Sequence, residues 1–296
     1  MKITIATCPC SWGVFYADGG ASGVQADQFL QEASMAGYKQ IELGPEGYLP
    51  TDTEVLKAAL EKVALEVCAG TSTIEFLTQS EEECVQAVLP LAKRLNELGV
   101  RDMVVMDGSL WGESPLPKTE WTKEQIDGIY SKISAVNTVL MDMNIRMVFH
   151  PHCDSAVETV EEIERLLEID GLMLCFDTGH HVLVNGSSEK GDRTALDFIK
   201  EHADRIPYLH FKNPDGPVLY QARQEGWSGV YALSHNVMCN LEDGIIDFES
   251  LRDLLKEIDF EGTAVIEQDM YGKGGDYAYA CAKLNLEYLQ RIGMID

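Results

Sequence analysis

Short apolar segments alternate with amphipathic segments along nearly the whole chain. Most of the apolar segments are almost continuous and end at a polar residue or a glycine. This pattern is typical of strands that are buried on both faces of a parallel sheet. We predict strands at residues 3–7, 40–43, 65–69, 102–106, 146–150, 172–177, 208–212 and 263–267.

An amphipathic segment with helical periodicity follows each predicted strand. We predict helices at residues 25–36, 53–63, 80–98, 122–142, 155–167, 194–203, 248–258 and 277–292. Gly37 and Gly99 are suited to end two of them, and Ser80 with Glu83 forms a capping-box pattern. Because no Pro/Gly/Ser-rich linker divides these strand–helix units, we predict an α/β fold with one domain over residues 1–296, a (β/α)8 or TIM barrel.

An open, doubly wound sheet is the alternative for such an alternation. Its usual dinucleotide ligand needs a glycine-rich loop after the first strand. Here the first strand is followed by CPCSWG at residues 8–13, and the chain has no Walker A motif. The closed barrel is therefore favoured. Two long connections, residues 107–121 and 213–247, would follow strands four and seven on its active face.

The charge of the chain narrows the choice of partners. The 296 residues include 23 basic and 49 acidic side chains, giving a formal net charge of -26. Such a surface repels nucleic acid and anionic membranes, so we expect neither as a partner. We find no signal-peptide pattern and no apolar run near the ~18 residues of a membrane span. Eight cysteines without a C-x-x-C pair favour the reducing cytoplasm.

Histidines and carboxylates occupy the predicted carboxyl ends of four consecutive strands, where barrel enzymes carry their active sites. His150, Asp177, His210 and Glu267 end strands five to eight. Each alone could be a buried histidine, a helix cap or an ion-paired residue, but four such groups buried without a shared partner would be costly. We therefore predict that they bind one divalent metal ion. Mixed imidazole and carboxylate ligands favour Mn²⁺ or Co²⁺, with Zn²⁺, Fe²⁺ and Mg²⁺ as alternatives.

Other strand-end residues are candidates for substrate contact. His152 and His180 are available for substrate hydroxyls or proton transfer. Glu42, at the end of strand two, either binds substrate or forms a salt bridge in the barrel mouth. Trp12, with Phe15 and Tyr16 (residues 12–16), either forms an apolar wall against a sugar ring or packs beneath a loop. The glycine-rich residues 272–275 are a weaker candidate for a phosphate site, with a flexible loop as the alternative.

Several of these segments resemble one known family. FDTGH at residues 176–180, HFKN at 210–213 and EQD at 267–269 are similar to motifs of the xylose-isomerase-like barrel superfamily of sugar isomerases, epimerases and dehydratases. Within it, the His-rich end of strand five and EDGIIDF at 242–248 resemble the inosose (2-keto-myo-inositol) dehydratases. The resemblance covers nearly the whole chain and implies that Asp177, His210 and Glu267 are metal ligands.

One position departs from the superfamily pattern. Isomerases and epimerases of this group usually carry a Glu before the Pro at the end of strand five, where this chain has His150 before Pro151. One of the two facing carboxylates of an epimerase is therefore missing, which favours the dehydratase branch. The departure leaves His150 and His152 as alternatives for the ligand.

The resemblance implies a metal-dependent lyase that removes water from a keto-polyol such as 2-keto-myo-inositol through an enediolate. The metal would polarise the ketone, and His152, His180 or Glu267 would remove the α proton. Lys212 would stabilise the enediolate oxygen or protonate the leaving hydroxyl. Because the same enediolate can be reprotonated elsewhere, a metal-dependent isomerase or epimerase of a ketose or keto-sugar is the alternative.

Two further classes fit the sequence less well. A DNA endonuclease of the same superfamily would need a basic groove, which the net charge of -26 disfavours. A non-catalytic carbohydrate-binding barrel would not need four ligand-type residues at strand ends. We therefore expect a small polyhydroxy ketone or sugar as substrate. A homo-oligomer is suggested only by analogy with other barrels.

Overall fold

The computed structural model describes residues 1–111, 115–271 and 274–295. Within these ranges, eight parallel strands close into a barrel with the order β1-β8-β7-β6-β5-β4-β3-β2. The strands are β1 (Lys2–Thr7), β2 (Gln40–Glu42), β3 (Glu66–Ile74), β4 (Asp102–Asp107), β5 (Arg146–Phe149), β6 (Met173–Asp177), β7 (Tyr208–Phe211) and β8 (Glu261–Ile266). This closed barrel confirms the predicted fold class.

Helices surround the barrel and connect its strands. They are α1 (Ala26–Ala36), α2 (Thr53–Val63), α3 (Glu81–Leu98), α4 (Lys123–Asp142), α5 (Val160–Leu166), α6 (Thr178–Asn185), α7 (Thr194–Glu201), α8 (Gly216–Glu225), α9 (Gly229–Ser234), α10 (Phe248–Glu257) and α11 (Asp276–Arg291). The capping box of Ser80 and Glu83 forms as predicted, and Gly37 and Gly99 end their helices with positive φ. Among the described residues, no helix combines the length and apolar character that crossing a bilayer requires.

Apolar side chains form two cores. The larger lies between the barrel and its helices. The smaller fills the barrel interior with mostly small side chains: Ala6, Cys8, Ala69, Val104, Val148, Cys175, Tyr208 and Val265. Tyr208 is the large member, and its hydroxyl donates to Glu42 Oε1 over 2.8 Å. This interior layer therefore supports the polar groups at the carboxyl ends of the strands.

The connection from residue 213 to 247 contains more structure than predicted. Helices α8 and α9 lie within it, and Asn213–Pro214 pairs antiparallel with Met238–Cys239. Helix α6 was also missed, because it begins directly after β6 without a separating turn. These helices have six to ten residues, too few to display a clear helical period.

Two regions singled out from the sequence are described only in part. Residues 112–114 of the connection after β4 lie outside the described residues. Residues 272 and 273 of the candidate phosphate turn also lie outside them.

Candidate functional site

The carboxyl ends of β5 to β8 bring four distant side chains together. His150 Nε2 lies 3.5 Å from Asp177 Oδ2, and His210 Nδ1 lies 3.7 Å from the same oxygen. His210 Nδ1 is also 2.6 Å from Glu267 Oε2. One nitrogen or oxygen atom from each of the four residues lies within 4.8 Å of the others. We call His150, Asp177, His210 and Glu267 the ligand group.

The atoms that face one another in the ligand group have no ordinary hydrogen-bond partners. Among the described residues, Asp177 Oδ2, Glu267 Oε2 and His210 Nδ1 are buried and accept or donate no hydrogen bond. Although His210 Nδ1 is close to Glu267, the contact lacks hydrogen-bond geometry. Buried polar atoms that converge without hydrogen bonds are costly unless a further group lies between them. The donor types and their convergence fit a divalent cation.

Asp177 acts at two places at once. Its Oδ1 accepts a hydrogen bond of 2.9 Å from the backbone N–H of His180 and so caps α6, while Oδ2 remains directed at the ligand group. Burial by itself would raise the pKa of Asp177, but the charge of the Lys212 ammonium lowers it well below its usual value. The helix-cap and metal-ligand interpretations of this residue are therefore compatible.

The far side of the His210 ring is held by Glu42. His210 Nε2 lies 2.9 Å from Glu42 Oε1, and Thr71 donates to Glu42 Oε2 over 3.2 Å. With the Tyr208 contact, both oxygens of the Glu42 carboxylate are engaged by protein groups. Glu42 therefore forms the predicted salt bridge, and it also lines the cavity at the barrel mouth, so its contact with substrate stays a prediction. A carboxylate behind a ligand histidine fixes the ring and directs its other nitrogen at the metal.

The carboxylates around His210 also determine its charge. Burial disfavours the charged ring, yet the negative side chains nearby, including Glu267 and Glu42, raise the pKa of His210 well above its usual value. A protonated ring between two carboxylates is the expected state without a metal ion. Binding of a cation among these groups would displace that proton, so metal binding would release it.

Lys212 lies beside the ligand group and connects it to a second polar cluster. Its Nζ is 3.4 Å from Asp177 Oδ2 and 3.3 Å from Glu267 Oε2. On its other side, Nζ is 3.0 Å from Asp269 Oδ2 and 2.9 Å from His180 Nε2. Burial would lower the pKa of Lys212, but these carboxylates raise it well above the usual value. Lys212 is thus a buried ammonium ion next to the position that a metal would take.

The structure separates His150 from His152. His150 belongs to the ligand group, whereas His152 packs on His180 with ring centroids 3.8 Å apart. His152 Nδ1 lies 2.7 Å from the backbone oxygen of Cys153. Burial, followed by the charges of His150 and Lys212, lowers the pKa of His152 to about 3, and burial also lowers that of His180. Both rings of this pair are therefore neutral near pH 7.

A cavity of about 1150 Å³ opens above the ligand group. Its polar wall includes His150, His152, His210, Lys212, Glu267 and Asp269. Phe15, Tyr16 and Tyr271 contribute aromatic surface, with the Phe15 and Tyr271 rings stacked at 4.3 Å. Trp12 does not line this cavity. It is fully buried, packs edge-on against Phe29 and donates to Glu32 over 2.7 Å, so its expected role in substrate contact gives way to packing beneath the loop.

Two residues of the site were missed or underrated by sequence reasoning. Cys10 donates a short hydrogen bond from Sγ to Glu267 Oε1, and Asp269 forms an ion pair with Lys212. Both follow strand ends, which is the signal that could have indicated them. The sequence around a cysteine in a turn does not indicate which residue it will contact. Asp269 was given less weight because Glu267, two positions earlier, was the stronger ligand candidate.

Comparisons with known proteins bear on the family and the fold. A family model described as xylose isomerase-like TIM barrel matches residues 30–288. The chain is 29% identical over 276 residues to the rhizopine catabolism protein MocC of Rhizobium meliloti, covering 91% of this chain and 82% of that protein. It is 27% identical over 304 residues to an inosose dehydratase of Geobacillus kaustophilus, covering 97% of this chain and 94% of that protein.

A solved structure shares the same architecture. The crystal structure of the probable 3-DHS dehydratase AsbF from Bacillus anthracis aligns with a TM-score of 0.70 and 16% sequence identity. The alignment covers 97% of this chain and 98% of that one. At this identity the likeness supports the barrel fold alone.

Proposed function

The chain belongs to the xylose isomerase-like TIM barrel family, and from this premise we propose that it is a metal-dependent lyase that dehydrates a keto-polyol such as 2-keto-myo-inositol. The observation that carries the proposal is the convergence of His150, Asp177, His210 and Glu267, with one buried atom of each lacking a hydrogen bond. The similarity to an inosose dehydratase over 97% of the chain supports the choice of substrate class.

The ligand group is proposed to hold the metal, with His150 rather than His152 as the ligand from the end of β5. A divalent cation bound there would act as a Lewis acid, making the proton next to the substrate ketone more acidic. Nitrogen and carboxylate donors without sulfur suit Mn²⁺ or Co²⁺, which we propose as the working ions. Glu42 keeps His210 in place by accepting a hydrogen bond of 2.9 Å from its Nε2.

His152 and His180 are proposed to carry the proton. His152 lines the cavity above the ligand group, and His180 contacts His152. Both rings are held in the neutral form that a general base needs. The ring centroids lie 3.8 Å apart with the planes tilted by 41°, so a proton taken up by one ring would disfavour protonation of the other, and only one of the two would carry it at a time. Glu267 is the alternative base, although Cys10 and His210 already occupy the surroundings of its two oxygens.

Lys212 is proposed to stabilise negative charge on the substrate. Its buried ammonium is held between Asp177, Glu267 and Asp269, at 3.0–3.4 Å from an oxygen of each. Low exposure makes this charge effective, since little water screens it. The same group can donate a proton to a departing hydroxyl, with Asp269 close enough to balance its charge.

Net charge and cavity shape support a small neutral substrate. The formal charge of -26 disfavours polyanions, and the cavity combines a polar floor with the aromatic side chains of Phe15, Tyr16 and Tyr271. A polyol ring has hydroxyls for the floor and C–H groups for aromatic walls. The cysteines form no disulfide among the described residues, which supports the proposed cytoplasmic location.

The decisive experiment combines metal analysis with product analysis. The metal-stripped protein is reloaded with Mn²⁺ or Co²⁺ and assayed on 2-keto-myo-inositol and on a panel of free ketoses. We expect turnover of the inosose to an ultraviolet-absorbing conjugated dione, and loss of turnover on chelation. His210→Ala is expected to abolish metal retention, whereas His235→Ala, at an exposed position outside the cavity lining, should retain it.

Two results would reject the proposal. Interconversion of ketoses without loss of water would identify an isomerase or epimerase. Metal retention by His210→Ala at the wild-type level would show that the ligand group does not hold the ion.

A further inference from the structure

Two thiols lie beside Glu267 on the side away from His210. Cys8 follows β1, and Cys10 lies in the 3-10 turn Pro9–Trp12, with the two Sγ atoms 3.1 Å apart. Cys10 Sγ donates to Glu267 Oε1, whereas Glu267 Oε2 faces His210. One donor atom from each of Cys8, Cys10 and Glu267 lies within 4.8 Å of the other two.

We propose that Cys8, Cys10 and Glu267 form a second metal site, one that takes a thiophilic divalent ion such as Zn²⁺ or Cd²⁺. Two sulfur ligands and one carboxylate select softer ions over Mn²⁺. Three protein ligands leave a fourth position open, as in catalytic zinc sites. Both cysteines line the cavity, so an ion can reach them from solvent.

The present spacing of the thiols requires only a small adjustment. With zinc–sulfur bonds of about 2.3 Å, two sulfur ligands of a tetrahedral ion lie about 3.8 Å apart. The Sγ atoms at 3.1 Å would therefore separate by less than an ångström. Cys10 is partly exposed and lies in a short 3-10 turn. Binding converts both thiols to thiolates and releases their protons to solvent.

Glu267 makes the two sites interdependent. Its oxygens face different groups, Oε1 toward Cys10 and Oε2 toward His210. A carboxylate in this arrangement can bridge two ions, and a thiophilic ion on the sulfur side would withdraw electron density from the ligand group. We expect Zn²⁺ or Cd²⁺ to inhibit the Mn²⁺-loaded enzyme. The binding itself does not depend on the proposed function; only this effect on turnover does.

A rival soft-metal group lies nearby but is less suitable. His152, Cys153 and His180 also place donor atoms within 4.8 Å of one another. However, His180 Nε2 lies 2.9 Å from Lys212 Nζ, so this ring nitrogen is already engaged by the ammonium. Cys153 is almost fully buried and does not line the large cavity. This group serves as the competing explanation in the test.

The test is a Cd²⁺ titration of the metal-stripped protein, followed by ion counting and by the ultraviolet thiolate-to-cadmium charge-transfer band. The wild type is expected to bind one Cd²⁺ more per chain than Cys10→Ser and to show the band, which Cys10→Ser should lack. Cys239→Ser is the matched control, because Cys239 lies in the short strand that pairs with Asn213–Pro214 and does not line the cavity. It should behave as the wild type. In a parallel titration with Mn²⁺, the wild type and Cys10→Ser should bind the same number of ions per chain.

A second measurement avoids dependence on a variant that fails to fold. In the wild type, Cd²⁺ should protect Cys8 and Cys10 from alkylation, read by mass spectrometry. Absence of the band and of this protection would overturn the proposal. Loss of the band in Cys153→Ser but not in Cys10→Ser would do so too. A protein inactive on 2-keto-myo-inositol would still give these results, so the two proposals fail separately.

Discussion

His210 Nε2 lies 2.9 Å from Glu42 Oε1, and this contact determines which nitrogen of the imidazole is available to a metal ion. The donor proton on Nε2 leaves Nδ1 directed at Asp177 and Glu267. Neither partner adjoins the other in sequence, since Glu42 ends β2 and His210 lies in β7. Closure of the barrel therefore brings the Glu42 carboxylate to His210, where it orients the ring.

Glu42→Gln should weaken metal binding without unfolding the protein. The amide can still accept from His210, but it lacks the negative charge that makes the ring a stronger ligand. We expect a loss of about 10-fold in affinity for Mn²⁺, the lower end for partners of ligand histidines. Equilibrium dialysis with metal counting measures it. Glu66→Gln, exposed at the start of β3, is the control and should leave the affinity unchanged.

Lys212→Met should separate catalysis from metal binding. The ammonium lies 3.3–3.4 Å from oxygens of Asp177 and Glu267, so it opposes a cation there while it stabilises negative charge on substrate. We expect kcat to fall by about 100-fold or more, as for loss of one oxyanion donor, with metal affinity unchanged or increased. Steady-state kinetics at saturating Mn²⁺ and metal titration test both parts.

The exposed Lys200→Met serves as the control for charge removal. A Lys212→Met enzyme that retains wild-type kcat would exclude the lysine from the reaction.

The barrel and the ligand group could be predicted because both follow from repeated local patterns. Each strand was a short apolar run, and the carboxyl ends of parallel strands meet at one edge of a barrel. Positions such as Asp177 and His210 were therefore expected to converge, and they are paired in the β6–β7 register. Predicting this convergence required only the assumption that the strands close into a barrel.

Side-chain orientation in the loops could not be predicted in this way. The 3-10 turn Pro9–Trp12 directs Trp12 beneath the loop and leaves Phe15 on the cavity, a choice that depends on packing against Phe29. The partner of Glu42 likewise depends on which strand faces β2 across the mouth. Apolar or charged character alone does not distinguish such alternatives.

Gly179→Ala should disturb the protein through Lys212. A β-carbon at this position would overlap Lys212 Cβ and lie 3.0 Å from Met238 Sδ, so the backbone that carries Lys212 would have to shift. We expect a destabilisation of about 1–3 kcal/mol, as for overpacking of a core, and a lower kcat. Urea unfolding measures the first effect.

Gly128→Ala in α4 is the matched control, since no heavy atom outside its own helix lies within 4 Å of the added carbon. It should stabilise the protein by up to about 1 kcal/mol through helix propensity. If both variants lost stability equally, close packing against Lys212 would not be the cause.

His181 should make the metal-free protein sensitive to acid. Its ring packs against Phe176 and Phe198, and neither nitrogen has a hydrogen-bond partner among the described residues. Burial lowers the pKa of His181 from 6.5 to about 4, against the opposing charges of Asp192 and Asp177. The unfolded chain therefore binds this proton at a higher pH than the folded protein does.

The resulting stability is present above pH 6.5 and is lost as the pH falls from 6.5 toward 4, because only the unfolded chain takes up the proton in that window. A shift of this size corresponds to about 3 kcal/mol. His181→Phe removes the titrating group, so its free energy of unfolding should fall less steeply with acid. Urea unfolding of metal-stripped wild type and variant between these pH values compares the slopes. The other buried histidines remain in both proteins, so their contribution cancels when the two are compared. If the free energy of unfolding fell equally steeply with pH in both proteins, His181 would be solvated in the folded state.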